Sequence, residues 1–454
     1  MDQISHAGPL QGTENELIYD PTELFKKQKL ELTQKEGRWI VYEPINQYST
    51  DEFLFNIPPQ GQTYLSLRDS RLQIQGKVVN EDGTNMDEDD DGKVAFVNLP
   101  GTSLFSNIDI SLDGNPLSDL SNSYAHYKAY LDTVMSYAPD SGLCHLAAAH
   151  FSMDTPGKFE TFNDTNAGFA DRANMTGASK TFTINTPLYS DFFQIARLFP
   201  PGVKVSMKLT RAPNKFILCT NLKKEYKILI SSIKLWMRHI TLFDNLVQQH
   251  QKLLAADNPV ILPFRKTEIV TFAYPNNMNV INLKNLISGT LPRSIVIGFV
   301  NSEDFHGTFS SNPYYFRHLD LDYFELSVGG VMIPPHPYKP DFENGLFQRE
   351  YRDFFDNIGI SQGNVGNFVS VMHYKDGCTL FAFDLTPDLC NGYHVHPRHN
   401  GSINLEVHFR KPLEKAVNIV AMCIYDAQLT LERKSKPKTQ LYALDENLQN
   451  LQNN

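Results

Sequence analysis

Residues 202–213 read GVKVSMKLTRAP and residues 401–412 read GSINLEVHFRKP; Gly202, Arg211 and Pro213 of the first recur as Gly401, Arg410 and Pro412, all 199 positions on. The flanks repeat as well. FTINTP, starting at Phe182, and FAFDLTP, starting at Phe381, keep the same 199-residue separation. Downstream, EYKILISSIKLWMRHITL and KAVNIVAMCIYDAQLTL both end in a Thr-Leu pair (Thr241-Leu242 and Thr430-Leu431), now 189 residues apart. The ten-residue difference falls in a connection, where added length costs little entropy. Upstream, RLQIQGKVVN (71–80) resembles RSIVIGFVN (293–301), and IDISLDGNPL (108–117) resembles FELSVGGVMI (324–333), each a strand running into a Gly turn. A repeated order of elements is the mark of a duplicated structural unit, so the chain is expected to fold twice in the same way.

Each half also carries one helical pattern. In SYAHYKAYLDTVMSY, Tyr127, Leu131, Val134 and Met135 fall at steps of three and four, and Ser123 is placed as N-cap. In LFQREYRDFFDNIG, Phe347, Tyr351, Phe354, Phe355 and Ile358 do the same, with Gly359 just past the end. The helices are expected at about 123–137 and 346–358.

The chain has 454 residues, enough for two units of about 200. A unit of that size buries roughly 70% of its unfolded surface and needs no metal or disulfide to hold it. With 30 Phe and 20 Tyr, and short apolar runs punctuated by Gly, Pro, Asn and Asp, the composition favours pleated sheets. The fold class expected is all-β, two tandem eight-stranded jelly rolls with short helices in the loops; a jelly roll is two facing four-stranded sheets. The first set of strands is placed near 38–45, 52–57, 64–79, 94–99, 104–113, 181–186, 203–211 and 227–242. The second is placed near 268–274, 280–283, 294–300, 319–329, 368–374, 379–386, 403–410 and 418–432. The domains follow: an N-terminal arm 1–36, a first jelly roll 37–245, a short helical linker 246–261, a second jelly roll 262–433 and a C-terminal tail 434–454.

MDQISHAGPLQGTENELIYD lacks the apolar core of a signal peptide, and no run reaches the ~18 apolar residues of a membrane span. Five cysteines (Cys144, Cys219, Cys378, Cys390, Cys423), odd in number and with no C-x-x-C, suit reduced thiols inside a cell. The sequons at Asn163, Asn174 and Asn400 therefore carry no weight. A net charge of −10 argues against a chain that coats nucleic acid. Basic residues do gather near the ends, as Lys26, Lys27, Lys29, Lys35 and Arg38, then Arg433, Lys434, Lys436 and Lys438. They read as solvated flanks, or as two tails that approach one another beside a polyanion.

Two clusters invite a chemical reading. HVHPRHNG holds His394, His396 and His399, and two His at i and i+2 on a strand point the same way. Bicupins, duplicated β-barrel metal enzymes, use such a pair, but with a Glu soon after, where this chain has Pro397, Arg398, His399, Asn400 and Gly401. At the 199-residue offset the partners of His394 and His396 are Ile195 and Arg197, so the other half offers no ligand. NMDEDDDG places Asp87, Asp89, Asp91 and Gly92 like the start of an EF-hand, but Asn98 stands where the bidentate Glu belongs. An acidic, exposed strand connection is the expectation. With no G-x-S-x-G, Walker, H-E-x-x-H or dinucleotide motif, the chain shows no catalytic, cofactor or metal residues.

The chain resembles the double jelly-roll, hexon-like major capsid proteins of Polinton (Maverick) elements and adintoviruses. SLFSNIDISLDGNPLS, SYAHYKAYLDTVMSY, ARLFPPGVKVSMKLTRAP, HLDLDYFELSVGG, LFAFDLTPDL and NGSINLEVHFRKPL carry the resemblance, in order, over about 100–431. It implies a homotrimeric capsomer tiling an icosahedral shell, without catalysis, within a virion assembled in the host cell beside penton and minor capsid proteins. A domesticated cellular copy of such a gene would read the same. Two similar barrels per chain and a threefold axis make six similar wedges. The long excursions, about 138–180, 301–318 and 334–366, are the expected material for contacts between subunits.

Overall fold

The structure is a computed structural model that describes residues 32–46, 51–59, 61–117, 120–389, 395–397, 399–432 and 436–441. Eight strands build the first jelly roll: β1 (Gln34–Tyr42), β2 (Glu52–Ile57), β3 (Tyr64–Asn80), β4 (Phe105–Leu112), β5 (Asn115–Pro116), β6 (Phe182–Pro187), β7 (Val205–Arg211) and β8 (Tyr226–Leu242). Eight build the second: β9 (Val260–Tyr274), β10 (Val280–Thr290), β11 (Ser294–Asn301), β12 (Leu321–Val328), β13 (Val331–Tyr338), β14 (Leu380–Asp384), β15 (Asn400–Phe409) and β16 (Val417–Leu431). The sheet orders are β1-β8-β3-β6 and β2-β7-β4-β5 in the first, β9-β16-β11-β14 and β10-β15-β12-β13 in the second. Each strand thus has its counterpart eight numbers on, and every ladder within these sheets is antiparallel.

The opening repeat is structural. Gly202–Pro213 carries β7 and Gly401–Pro412 carries β15, each second in its sheet. Burial alternates along both, Val205, Met207 and Leu209 facing the core as Ile403, Leu405 and Val407 do, which is the period-2 signature of a strand with one wet face. The repeated arginines act at the ends of these strands: Arg211 Nη2 donates to the Ile228 carbonyl at 2.7 Å, and Arg410 Nη2 meets Asp341 Oδ2 at 2.8 Å.

Two of the expected strands are not jelly-roll strands. Val94–Phe96 pairs with Leu218–Thr220 in a separate two-stranded ribbon. Residues 368–374 form no strand; helix α5 (Val371–Lys375) starts there, capped by Ser370, whose hydroxyl accepts from the His373 N–H. The true fifth strands, β5 and β13, escape sequence reading for opposite reasons. β5 is two residues long, and β13 holds three prolines, which cannot donate to a ladder and suit only an edge. β9 begins eight residues before the strand expected at 268, despite Pro263. Ile261 and Thr267 turn their backbone groups away from β16, so Pro263, of the same parity, loses only an N–H that faces the free edge.

Both helices precede the sixth strand of their jelly roll: α1 (Ala125–Ser136) in the first and α4 (Gln348–Asn357) in the second, with α2 (Ala167–Thr176) also in the first excursion. Ser123 is not the N-cap of α1. It pairs with Asn107, and Tyr124 caps at φ 53° without a side-chain bond. Gly359, at φ 80°, does follow the end of α4, its N–H on the Asp356 carbonyl. Helix α3 (Asp244–Ala255) links the two jelly rolls.

One continuous apolar core runs through both jelly rolls. At the seam Tyr130 stacks on Tyr314 (centroids 4.2 Å apart, planes at 3°) and Tyr127 on Phe305 (5.3 Å). Gly307, at φ 80°, lets the second half close on the first, since a Cβ there would stand 2.6 Å from the Phe216 backbone. Phe151, Phe159, Phe162, Phe305, Tyr314 and Phe316 are all buried. These six side chains of excursions 138–180 and 301–318 therefore pack within the chain.

Candidate functional site

The histidine loop comes first. His394 lies outside the described residues. His396 holds its Nε2 3.2 Å from Asp388 Oδ1, while His399 offers its backbone carbonyl to the Leu291 N–H at 2.8 Å. A cavity of about 140 Å³ opens beside them, lined also by Arg293, Thr386 and Asp426. Arg293 and Asp426 already satisfy each other, with Nη1 3.0 and 3.2 Å from the two carboxylate oxygens. Among the described residues no group of three or more His, Cys, Asp or Glu is placed to hold a metal. Arg197, at the position matching His396, ties the halves together: its Nη1 donates to the Ile261 carbonyl of β9 at 2.8 Å. Elemental analysis of purified protein is expected to find far less than one Zn, Fe or Mn per chain; about one per chain would revive the bicupin reading.

The acidic connection is only partly exposed. A single 3₁₀ turn, Glu88–Asp90, buries Asp90. Its Oδ2 accepts from Lys224 Nζ at 2.9 Å and from the Tyr226 hydroxyl at 3.0 Å, and Asp87 shares the lysine at 2.7 Å. The hydrogen bonds that Lys224 donates to the Asp87 and Asp90 carboxylates raise its pKa. Asn98 stands elsewhere altogether, donating to Asp154 at 3.5 Å and accepting from the Ser152 N–H at 3.0 Å.

That Asn98 contact leads to a polar hub that sequence reading did not find. Asp154 is buried between the jelly rolls. Oδ1 meets Arg172 Nη2 at 2.6 Å and Asn166 Nδ2 at 2.9 Å; Oδ2 receives Asn312 Nδ2 of the second half at 3.1 Å. His373 Nε2 lies 3.1 Å from the Asp154 carbonyl. A second hub joins β9. Asp191 Oδ2 accepts from the Thr267 N–H at 2.8 Å and from Asn122 Nδ2 at 3.0 Å, with Lys128 Nζ 3.4 Å from Oδ1. Burial would lower Lys128, but the Asp132 and Asp191 carboxylates outweigh it and hold it above its ordinary pKa. Sequence offers no signal for either hub, because the contacts that join the halves, Asn312 to Asp154 and Thr267 to Asp191, span 158 and 76 positions.

The strands that carry basic residues of the two ends belong to different sheets. In each jelly roll the first strand pairs with the last of the same unit, β1 with β8 and β9 with β16. Lys35 and Arg38 therefore lie beside β8, while Lys438 begins a further strand, β17 (Lys438–Leu441), beside β16 in another sheet. Lys26, Lys27, Lys29, Arg433 and Lys434 lie outside the described residues. No described helix is long and apolar enough to cross a membrane.

These observations define a class by architecture: two fused eight-stranded jelly rolls with a buried seam, the double jelly-roll fold. Solved structures share it. The mavirus major capsid protein matches with a TM-score of 0.56 over 98% of each chain at 11% identity. The chain in the cryo-EM structure of the Sputnik virophage matches at 0.58, over 95% of this chain and 94% of that one, at 12% identity. The Faustovirus major capsid protein matches at 0.51 over 92% of each chain, also at 11% identity. In sequence, an uncharacterised protein of Caenorhabditis elegans, F54H12.2, is 22% identical over 364 residues, 77% of this chain and 84% of that one. No family model matches the chain.

Proposed function

We propose that this chain is a structural major capsid protein whose homotrimers form the pseudo-hexagonal capsomers of an icosahedral shell, in the lineage of Polinton elements and adintoviruses. The observation that carries the reading is the fused pair of jelly rolls, which superposes on nearly the full length of the mavirus major capsid protein. Nothing in such an arrangement calls for catalysis. Three copies present six similar wedges, enough for a hexagonal tile. The domain division follows the same reading: an arm 1–36, jelly rolls 37–245 and 262–433 joined by 246–261, and a tail 434–454. The chain is then made and assembled inside the host cell and resides in the virion, with penton and minor capsid proteins as partners. Contact of the basic ends with packaged DNA belongs to the same reading.

One observation favours a second setting for the same chemistry. The nematode relative is nearer in sequence than the viral structures, at 22% against 11–12% identity. A copy carried in an animal genome would keep the fold and, if it still assembles, the capsomer. Light scattering of purified protein is expected to give three times 51.6 kDa, and electron microscopy closed shells or hexagonal plates. A well-folded monomer at micromolar concentration, or a twofold dimer, would overturn the capsomer.

A further inference from the structure

Three Asn-Gly pairs occur in the chain: Asn344-Gly345, Asn391-Gly392 and Asn400-Gly401. At such a pair the glycine's backbone nitrogen can reach the asparagine's side-chain carbon, because glycine has no Cβ to block the approach and restricts φ and ψ least. The fold treats the pairs differently. Asn391-Gly392 lies outside the described residues. Asn400 and Gly401 belong to β15 and pair with Thr290 and Gly289 of β10, a ladder that fixes the backbone as extended. Asn344 and Gly345 sit in a four-residue loop between β13 and α4, residues 342–345, closed by two 2.8 Å backbone hydrogen bonds between Asp341 and Leu346. Asn344 is exposed, and Gly345, at φ 73°, has open space where a Cβ would stand. No described group accepts the Gly345 N–H. One carboxylate shapes this loop. Asp341 Oδ1 accepts from the Asn344 N–H at 3.0 Å, and Oδ2 accepts from Asn344 Nδ2 at 2.9 Å and from Arg410 Nη2 at 2.8 Å. Arg410 and the two Asn344 donors hold the Asp341 carboxyl well below its ordinary pKa, so it is charged at neutral pH. Phe342 pins the start of the loop to the core, its ring 4.4 Å from His318 and 5.2 Å from Phe347.

We infer that Asn344 is a site of spontaneous deamidation, and that its conversion undoes the bond that shapes this loop. Water is the only other reactant. The Gly345 nitrogen gives its proton to hydroxide and attacks Asn344 Cγ; Nδ2 leaves as ammonia, taking a proton from water, and a five-membered succinimide closes. Water then adds to one of the two ring carbonyls and the C–N bond there breaks. The product is aspartate, or isoaspartate with the backbone rerouted through the former side chain. In both, a side-chain donor to Asp341 has become a carboxylate. Two like charges do not share a 2.9 Å contact, so the new carboxylate turns away and Asp341 keeps Arg410 as its side-chain partner. Isoaspartate also lengthens the backbone of the loop by one methylene. The stacked rings of Phe342, His318 and Phe347 remain, so the change stays local and the jelly roll stays folded.

The test ages purified full-length protein in warm, mildly alkaline buffer, beside a sample unfolded in urea. Both are digested with pepsin in acid, where the digestion itself does not deamidate, and the peptides are weighed. In the folded protein the Asn344 peptide is expected to gain about 1 Da, the difference between an amide and an acid, and to resolve into aspartate and isoaspartate forms. Its rate should lie within about tenfold of the unfolded chain's, while the Asn400 peptide converts at under about one-hundredth of its unfolded rate, because β15 must open first. An Asn344 peptide that keeps its mass while the unfolded sample converts overturns the inference. So does an Asn400 peptide that converts as fast as Asn344 in the folded protein, since the fold would then select neither. The loosening has its own readout. Asn344→Asp, which carries the new charge without the added methylene, should be cut after Glu343 by a Glu-specific protease several-fold faster than fresh wild type. Equal cutting rates would overturn the loosening of the loop.

Discussion

Replacing Asp154 with Ala is expected to destabilise the protein by about 3–5 kcal/mol, the cost of removing one partner from a buried ion pair. The Arg172 guanidinium would stay buried without its carboxylate, and Asn166 and Asn312 would each lose an acceptor. Because Asn312 belongs to the second half and Arg172 to the first, the loss falls on the joint itself. Wild type should therefore unfold in urea as one transition and the variant as two, the halves having been uncoupled. Asp154→Ala combined with Arg172→Leu should recover part of the stability, since it removes the stranded charge along with its partner. A single-transition variant that loses less than about 1 kcal/mol would mean that the aromatic stack of Tyr130 on Tyr314 joins the halves without help from the hub.

The architecture was legible because duplication is written in local pattern. Alternation of apolar and polar residues along β7 and β15, and the Gly turns after β4 and β12, are decided within ten residues or so. What could not be read depends on contacts far apart in sequence. Asn98 drew notice as a missing calcium ligand, yet its role is to hold Asp154, 56 residues away. The excursion 301–318 is long and rich in aromatics, which suggested contacts between subunits, but Phe305, Tyr314 and Phe316 insert between the halves. FVSVMHY reads as a strand by propensity, and the Ser370 cap with burial of Tyr374 makes it helical. The fifth strands failed for want of length in one half and for an excess of proline in the other.

The comparison between halves was also informative where it broke. Absence of a histidine at position 197 argued against a bicupin site, but the arginine found there has a task of its own, gripping β9 across the seam. Its counterpart His396 faces Asp388 and a small cavity instead. Duplicated positions have thus diverged according to which flank is covered inside the chain.

Acid is expected to loosen the same joint. His126 is buried at the seam, its ring 4.4 Å from Phe216 and 5.0 Å from Tyr127, and burial lowers its pKa from 6.5 to about 3, a nearby Phe105 carbonyl opposing only in part. Above pH 6.5 both folded and unfolded chains carry it neutral, and it contributes nothing to pH dependence. Below that, the unfolded chain takes up a proton that the folded one refuses, so stability falls by about 1.4 kcal/mol per pH unit down to the folded value. At pH 5 the loss from this residue is about 2 kcal/mol. His150, His318 and His373 are lowered by burial too and add in the same direction. Asp191, Asp304 and Glu350, whose pKa values burial raises, act the other way, taking up protons in the folded state first. His126→Phe isolates the effect. The variant loses some packing at pH 7, but its stability should change less between pH 7 and pH 5 than that of wild type, by about 2 kcal/mol. Urea midpoints at the two pH values measure the difference, and parallel losses in both proteins would show that His126 takes up its proton in the folded state after all.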